Sequence, residues 1–336
     1  MIGGTKLKMI SSRRSSRGMQ DTRCGKYHVM LLVSVAAIFL ASPLSGQTSN
    51  YIALTDQKAG DPRILVMDYD QNNWSSDNPK AVIWSWRPAD SGIDPAGWRL
   101  PTEAKLRNSA LWGGQWVAVC DSAGFMAVVS YPGKEVKWSL NAGSSSNVHG
   151  IELLPNGNVA AAASTGGWVR IYTASQGPSS ANYVQYNLPD AHNVLWDPQM
   201  QVLWALGGST LVQLQIGGTA SEPTLTAVET KTLSAGSGHD LAPKYGDPAN
   251  LMITTGGSTW FYDKVTRKET LYQHVSGYKS INNQPSTGQI IETRPHASCK
   301  DDSWCTDVIE FVSPDDTRTR PGAAVYRARI WNADYQ

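Results

Sequence analysis

A unit that opens on a histidine recurs three times along this chain. The histidines stand in Asn147-Val148-His149-Gly150, Asp190-Ala191-His192-Asn193 and Ser237-Gly238-His239-Asp240, and they lie 43 and 47 residues apart. Each is followed by a hydrophobic run and then by a turn rich in glycine. A period of about 40 to 50 residues with several strands per repeat is typical of the blades of a β-propeller. Equivalent positions in successive blades face a common axis, so we expect the three imidazoles to lie close together.

The strand pattern extends beyond these three repeats. From residue 103 onward, short strands alternate with turns of Gly, Pro, Asn and Asp. Five repeats open in order at Lys105, His149, His192, His239 and Lys279. We therefore predict an all-β fold with a single propeller domain over residues 47–336.

The two ends of the chain supply a further blade. YIALTD, RILVMDY and AVIWSW near the N-terminus match its second, third and fourth strands, and AVYRARIW near the C-terminus matches its first. Pairing of the two ends would close the ring and remove exposed sheet edges. This closure predicts a six-bladed propeller, with seven blades as the alternative. In another arrangement, the C-terminal strand would be the outer strand of the last blade.

Residues 1–46 differ from the rest of the chain. A basic segment precedes the apolar run VMLLVSVAAIFLA at residues 29–41. The run is shorter than the roughly 20 residues that span a bilayer, and it matches the core of a secretory signal. We expect a signal peptide and basic leader that is cleaved near Gly46, releasing an extracellular protein with no membrane attachment. An uncleaved signal anchor is the alternative.

Cysteine usage and charge agree with export. Cys299 and Cys305 stand close together in a polar stretch and are predicted to form a disulfide, whereas Cys120 is predicted to remain a buried thiol. Without the leader, 22 Lys and Arg face 27 Asp and Glu, a net charge of −5. This balance argues against a nucleic-acid partner. We expect a monomer.

Alignment of the repeats predicts a ring of polar side chains at one level of the axis. Three neutral imidazoles could bind one divalent metal ion, such as Mn, Ca or Zn. A histidine left off the metal, or Lys279, could transfer a proton. Alternatively, the histidines bond the backbone of neighbouring blades and only fill the channel. The predicted ring consists of Arg107, His149, His192, His239, Lys279 with Ser280, and Arg329 or Arg327.

The hairpins after the second strands should surround the same mouth, and the insertion with the cysteine pair would form a wall of it. A guanidinium group matches a carboxylate or sulfate. Loop tryptophans could stack on a sugar ring. The predicted substrate-binding residues are Arg107, Arg329, Asp56, Gln57 and His296, and the loop tryptophans are Trp98, Trp112 and Trp304.

Three short motifs resemble those of secreted bacterial and fungal propellers whose family function is undefined. They are Thr55-Asp56-Gln57, Trp84-Ser85-Trp86 and the blade starts of the form His-x-hydrophobic. The histidine set is also similar to that of oligogalacturonate-lyase propellers, in which histidines and a glutamine hold a divalent metal. That resemblance implies Gln57 or Gln284 as a fourth ligand. The chain departs from that family in its six blades and in the regular spacing of its histidines.

These features predict a secreted, carbohydrate-active propeller that binds an acidic glycan or another small anionic ligand and acts as a polysaccharide lyase. The metal, or Arg107 with Arg329, would neutralise a uronate carboxylate while a histidine or Lys279 removed the adjacent proton. The alternatives are a non-catalytic propeller that binds a glycan or a protein, and a scaffold that uses its sides.

Overall fold

A computed structural model describes residues 50–336 of the protein. They form six four-stranded antiparallel sheets, which confirms the prediction of an all-β, six-bladed propeller. The predicted leader and its apolar run at residues 29–41 lie outside the described residues. Within residues 50–336, no helix has the length and apolar character needed to cross a membrane.

The strands follow one another as antiparallel neighbours, with four to each blade. Blades 1 and 2 contain β1 (Tyr51–Asp56), β2 (Arg63–Asp68), β3 (Val82–Trp86), β4 (Pro101–Asn108), β5 (Gln115–Asp121), β6 (Phe125–Tyr131) and β7 (Val136–Asn141). Blades 3 and 4 contain β8 (Val148–Leu153), β9 (Val159–Ala163), β10 (Trp168–Tyr172), β11 (Tyr183–Asn187), β12 (Ala191–Asp197), β13 (Val202–Gly207), β14 (Thr210–Gly218) and β15 (Pro223–Thr232). Blades 5 and 6 contain β16 (Asp240–Pro243), β17 (Asn250–Thr254), β18 (Thr259–Asp263), β19 (Glu269–Gln273), β20 (Ser280–Asn283), β21 (Ile290–Thr293), β22 (Val308–Val312) and β23 (Asp316–Thr319), and β24 (Val325–Ile330) returns to blade 1.

Among residues 50–336, two short 3₁₀ helices lie in connections between blades, at Pro88–Ser91 and Ser144–Ser146, and a third, at Ala174–Gln176, lies between β10 and β11 within blade 3.

The ring closes through blade 1 as the sequence predicts. Its order from the axis outward is β24, β1, β2, β3. Ile52 lies opposite Ile330, and Ala53 lies opposite Arg329. The C-terminal strand is therefore an inner strand, and its side chains reach the axis.

The hydrophobic core is divided into six clusters, one between each pair of neighbouring blades. Side chains alternate between the two faces of a strand, so each strand serves two clusters. On β1, Ile52 and Leu54 pack toward blade 6, while Ala53 packs toward blade 2. The clusters fix the position of each inner strand at the axis.

The repeat alignment predicts that blade 2 opens at Lys105, and this prediction is wrong. The inner strand of this blade, β4, begins at Pro101 and is eight residues long. Lys105 and Arg107 therefore lie farther along the axis than the histidines of the next blades.

Candidate functional site

Six side chains near the starts of the inner strands surround one end of the axis. In β4, β8 and β12 the pairing register shifts by one residue at Thr102, His149 and His192. Such bulges turn a side chain out of the regular ladder. The six residues, called the histidine mouth below, are Thr102, His149, His192, His239, Lys279 and Tyr326.

Four of these side chains form a closed circle of rings. The ring centroids of His149 and His192 are 4.7 Å apart, and those of His192 and His239 are 4.8 Å apart. Tyr326 completes the circle at 5.8 Å from His149 and 5.7 Å from His239. The structure thus brings the three predicted histidines together and adds a tyrosine that the sequence alignment missed.

Backbone contacts orient two of the imidazoles. Nδ1 of His149 lies 3.0 Å from the carbonyl of Asn147, and Nδ1 of His192 lies 2.9 Å from the carbonyl of Asp190. A carbonyl only accepts, so each Nδ1 carries a proton, and in the neutral ring of His149 Nε2 keeps a lone pair. The two rings are therefore held by their own strand starts rather than by a carboxylate across the axis.

His239 has polar neighbours on its other nitrogen. The Tyr326 hydroxyl lies 3.1 Å from Nε2, and Nζ of Lys279 lies 3.5 Å from it. Burial lowers the pKa of His149 and His239 well below the usual value, and Lys279 and Arg327 nearby lower that of His239 further. These two imidazoles are therefore neutral at pH 7.

The mouth opens into a cavity of about 310 Å³. None of its lining residues is acidic, and Lys279 is the one formal charge among them. Burial and the Arg327 guanidinium lower the pKa of Lys279, and no described carboxylate lies within ion-pair distance of it. The lining consists of Gln57, Leu100, Thr102, Ser122, Asn147, His149, His239, Lys279, Trp304 and Tyr326.

Arg327 fixes the backbone beneath the mouth. Its guanidinium donates to the carbonyls of His149 at 2.6 Å, His239 at 2.8 Å and Lys279 at 3.2 Å. The side chain is fully buried. One residue of blade 1 thereby ties together the inner strands of three other blades.

An ion-paired layer lies below Arg327. Arg329 donates to Glu103 at 2.6 Å and to Asp240 at 2.7 Å. Burial alone would raise the pKa of Glu103, but Arg329, together with Lys105 and Arg327, outweighs it and lowers that pKa to about 2. Both carboxylates are therefore ionised, and both are paired with guanidinium groups within the core.

Two predicted arginines do not lie at the mouth, which corrects the predicted ring. Arg107 lies toward the opposite end of the axis, where it forms two hydrogen bonds with Glu152 at 2.7 and 2.9 Å. Arg329 is held between Glu103 and Asp240. Both are paired with buried carboxylates, so neither guanidinium faces the cavity.

Of the three predicted loop contacts, one lines the cavity. Gln57 donates to the carbonyl of Pro101 at 3.0 Å and accepts from the Trp304 indole at 2.9 Å. Asp56 instead accepts from the backbone of Lys58 and Ala324, and burial raises its pKa. His296 does not line the cavity, since its half-exposed side chain faces Ser298 and Asp307.

The insertion with the cysteine pair does reach the mouth. The Cys299–Cys305 disulfide is present, and Cys120 is a buried free thiol. Trp304, inside the disulfide loop, lines the cavity. The other two loop tryptophans pack elsewhere: Trp98 against Trp86 and Phe125, and Trp112 against Trp116.

The predicted metal site remains a prediction. Among residues 50–336, no group of three His, Cys, Asp or Glu side chains is arranged to hold a metal ion. The Nε2 lone pair of His149 is the feature that suits a ligand role. Of the two glutamines offered as a fourth ligand, Gln57 uses its Oε1 to accept from the Trp304 indole, whereas Gln284 donates through Nε2 to Asn50, has an unpaired Oε1 and does not line the cavity.

Comparison with known proteins places the chain in a family. The family of unknown function DUF6528 matches residues 65–331. The chain belongs to DUF6528. No curated protein matches this DUF6528 chain.

Solved structures similar to the DUF6528 chain include two proteins without a described activity. A protein of unknown function from Bacteroides caccae has 9% identity and a TM-score of 0.48, over 78% of this chain and 90% of its own. A functionally unknown protein from Desulfotomaculum acetoxidans has 10% identity and a TM-score of 0.49, over 78% of this chain and 75% of its own. Function therefore has to be argued from the site.

Proposed function

We propose that the histidine mouth binds a carboxylate-bearing ligand, and that this ligand is a uronate unit of an acidic glycan. The observation that carries the proposal is the charge of the cavity. Lys279 is its single formal charge, no acidic side chain lines it, and the imidazoles beside Lys279 are neutral donors or acceptors. The Lys279 ammonium is partly buried and has no ion-pair partner among the described residues, which favours an anion from solution.

The uncharged part of the lining favours a sugar over a bare inorganic anion. Trp304 is partly exposed at the cavity wall. An indole face packs well against the apolar face of a sugar ring. Ser122 and the side-chain oxygen of Asn147 offer polar groups for hydroxyls, whereas the Thr102 hydroxyl already donates to the carbonyl of Val148 at 2.8 Å. A volume of about 310 Å³ lies at the small end of ligand pockets.

Secretion fits this ligand and is part of the proposal. The Cys299–Cys305 disulfide is of a kind that persists in oxidising compartments, where acidic glycans are met. The leader at residues 1–46 would direct the export.

Binding is tested by titrating the purified protein with D-galacturonate and D-glucuronate, with neutral D-galactose as the control ligand. We expect saturable binding of a uronate and at least about tenfold weaker binding of galactose, because the ion pair with Lys279 is lost. Equal binding of galactose, or no binding of either uronate, would refute the proposal.

Lys279→Met is the informative variant, and Lys268→Met is its matched control. Lys268 is exposed on the hairpin between β18 and β19. Both substitutions remove one positive charge. We expect only Lys279→Met to weaken uronate binding.

Lyase chemistry is a second candidate, favoured by the polar chain at His239. The Tyr326 hydroxyl and Nζ of Lys279 lie 3.1 and 3.5 Å from Nε2 of His239. A neutral imidazole or amine there could remove the proton next to the uronate carboxylate. The electron pair would form a carbon–carbon double bond as the neighbouring glycosidic oxygen departs and takes up a proton.

The lyase candidate is tested by absorbance of unsaturated uronates across acidic glycans, with and without added Mn²⁺, Ca²⁺ or Zn²⁺. Activity that His239→Gln abolishes would support it, and activity only with metal would support the predicted metal site. Binding without turnover under all conditions would indicate a non-catalytic glycan-binding propeller.

A further inference from the structure

The segment between β21 and β22 is long and largely exposed. It covers residues 294–307, whereas most hairpin loops have about two to five residues. Residues 294–298 are all exposed. The disulfide closes a smaller loop of residues 299–305, mostly in the second half of the segment.

Trp304 is the point where this loop contacts the site. Its indole N–H donates to Oε1 of Gln57 at 2.9 Å, and Nε2 of Gln57 donates to the carbonyl of Pro101 at 3.0 Å. Among the described residues, no other aromatic ring and no cation stacks on Trp304. The indole is thus held by its edge, and its face is available at the cavity.

Besides the disulfide, hydrogen bonds connect the exposed part of the loop to its base: the His296 N–H donates to the carbonyl of Cys305 at 3.0 Å, and the Ser298 hydroxyl donates to Asp307. Oδ2 of Asp301 accepts from the backbone of Ala59 at 3.1 Å. The base is firmer, because the backbones of Thr306 and Val325 bond each other at 3.0 and 2.7 Å. Cys305 is buried next to that base, while Cys299 lies toward the exposed part. The disulfide therefore ties the exposed part of the loop to its anchored end.

We propose that the Cys299–Cys305 disulfide is a redox-sensitive strap that holds Trp304 as the wall of the histidine mouth and so sets its selectivity for sugar acids. The ligand class rests on the proposed function. With the strap closed, the mouth offers Lys279 to a carboxylate and Trp304 to a ring face. With the strap open, the loop gains conformational freedom, and ordering Trp304 costs binding free energy.

The opening step is reduction by a dithiol. The S–S bond accepts two electrons and two protons and becomes the thiols of Cys299 and Cys305. The dithiol is oxidised to its cyclic disulfide. Cys120 takes no part, since burial raises the pKa of its thiol to about 12.

The test compares oxidised protein, dithiothreitol-reduced protein and the Cys299→Ser/Cys305→Ser double variant in titrations with D-galacturonate and acetate. We expect opening the strap to weaken galacturonate binding about tenfold while changing acetate binding less than about twofold, because acetate has no ring to stack. Reoxidation should restore the affinity of the wild type but not of the double variant.

Trp304→Ala in the oxidised protein distinguishes the contribution of the Trp304 side chain to binding from a general effect of reduction on the fold. We expect it to lose affinity for galacturonate to the same degree as reduction does and to be insensitive to further reduction. Trp304→Phe should retain part of the affinity. Equal galacturonate affinity in the oxidised, reduced and Trp304→Ala proteins would overturn the inference.

Hydrogen exchange of the protein without ligand tests the proposed strap independently of the proposed ligand. We expect the amides of residues 296–305 to exchange faster after reduction while those of β8 and β12 stay protected. Faster exchange with no uronate binding would refute the proposed ligand alone. Unchanged exchange with intact uronate binding would refute the strap alone.

Discussion

The two ends of the propeller axis use polar residues in opposite ways. At the histidine mouth, three imidazoles and Lys279 surround an open cavity with no acidic lining residue. At the far end, called the closed end below, Arg107 is paired with Glu152 and covered by the ring of Tyr335 at 4.7 Å. There the Tyr335 hydroxyl donates to the carbonyl of Leu153 at 2.6 Å. Only a void of about 20 Å³ remains near the closed end.

This difference separates polar groups that hold the fold from polar groups that are free to bind. Between the two ends lies the ion-paired layer of Arg329 with Glu103 and Asp240, where every charge has a partner. Pairing satisfies buried charges and leaves nothing for a ligand. The feature that suggests ligand binding is therefore the lack, among the described residues, of an ion-pair partner for Lys279 at the histidine mouth. The mere presence of charged residues on the axis does not suggest it.

The largest effect on stability is expected in the ion-paired layer. Arg329→Met leaves Glu103 and Asp240 buried with one cation fewer and should lower the free energy of unfolding by about 3–5 kcal/mol. Arg294→Met, which removes an exposed partner of Glu310, should cost less than about 1 kcal/mol. Denaturant unfolding measures both. Equal losses would contradict the contrast between a buried and an exposed pair.

A pH effect should follow from the mouth. Because the pKa values of His149 and His239 are lowered in the folded state, the unfolded chain binds protons more readily, and stability is lost as pH falls below about 6.5. The expected slope is at most about 1.4 kcal/mol per pH unit for each histidine. Unfolding of the wild type and of His149→Gln/His239→Gln between pH 7 and 5 isolates this contribution. Parallel pH profiles would show that these imidazoles are not held neutral.

A smaller effect is expected at the closed end. Tyr335→Phe removes one hydrogen bond and should cost about 1 kcal/mol, whereas Tyr335→Ala also removes the ring over Arg107 and should cost more. Neither substitution should change uronate affinity. A loss of affinity in a variant that unfolds like the wild type would mean that the closed end contributes to the site.

The smallest effect on stability is expected for Lys279→Met. This residue has no ion pair among the described residues, so its removal should change the free energy of unfolding by less than about 1 kcal/mol. Among the single substitutions described above, Lys279→Met should have the largest effect on uronate affinity. Thermal unfolding and calorimetric titration of the same sample provide both values.

The fold could be predicted because propeller blades repeat. The spacing of His149, His192 and His239 fixes the blade length, and the unmatched strands at the two ends require closure. The same periodicity brought the three histidines together. These conclusions depend on repetition rather than on individual contacts, which is why the sequence was sufficient.

The rest of the site could not be read from polar residues alone. β4 opens with Pro101-Thr102 and has no histidine, so the repeat alignment began this strand at Lys105 instead of Pro101. It therefore placed Arg107 at the level of the histidines. Tyr326 was missed because the alignment assigned Arg329 or Arg327, on the same strand, to the position of the histidines. The valine before Tyr326 matches the valine before His149, and aligning those two could have found it. Pairing of Arg107 and Arg329 with carboxylates of other blades needs three-dimensional contacts.

The most direct test of ligand binding at the histidine mouth is an imidazole NMR titration. Protein labelled with ¹⁵N-histidine is titrated with D-galacturonate, and resonances are assigned with single His→Gln variants. We predict saturable shifts for His149 and His239, which line the cavity, and for His192, whose ring lies between theirs, and none for His274 or His296, which have neither position. Shifts confined to His274 or His296, or no shift at saturating ligand, would contradict the proposed site.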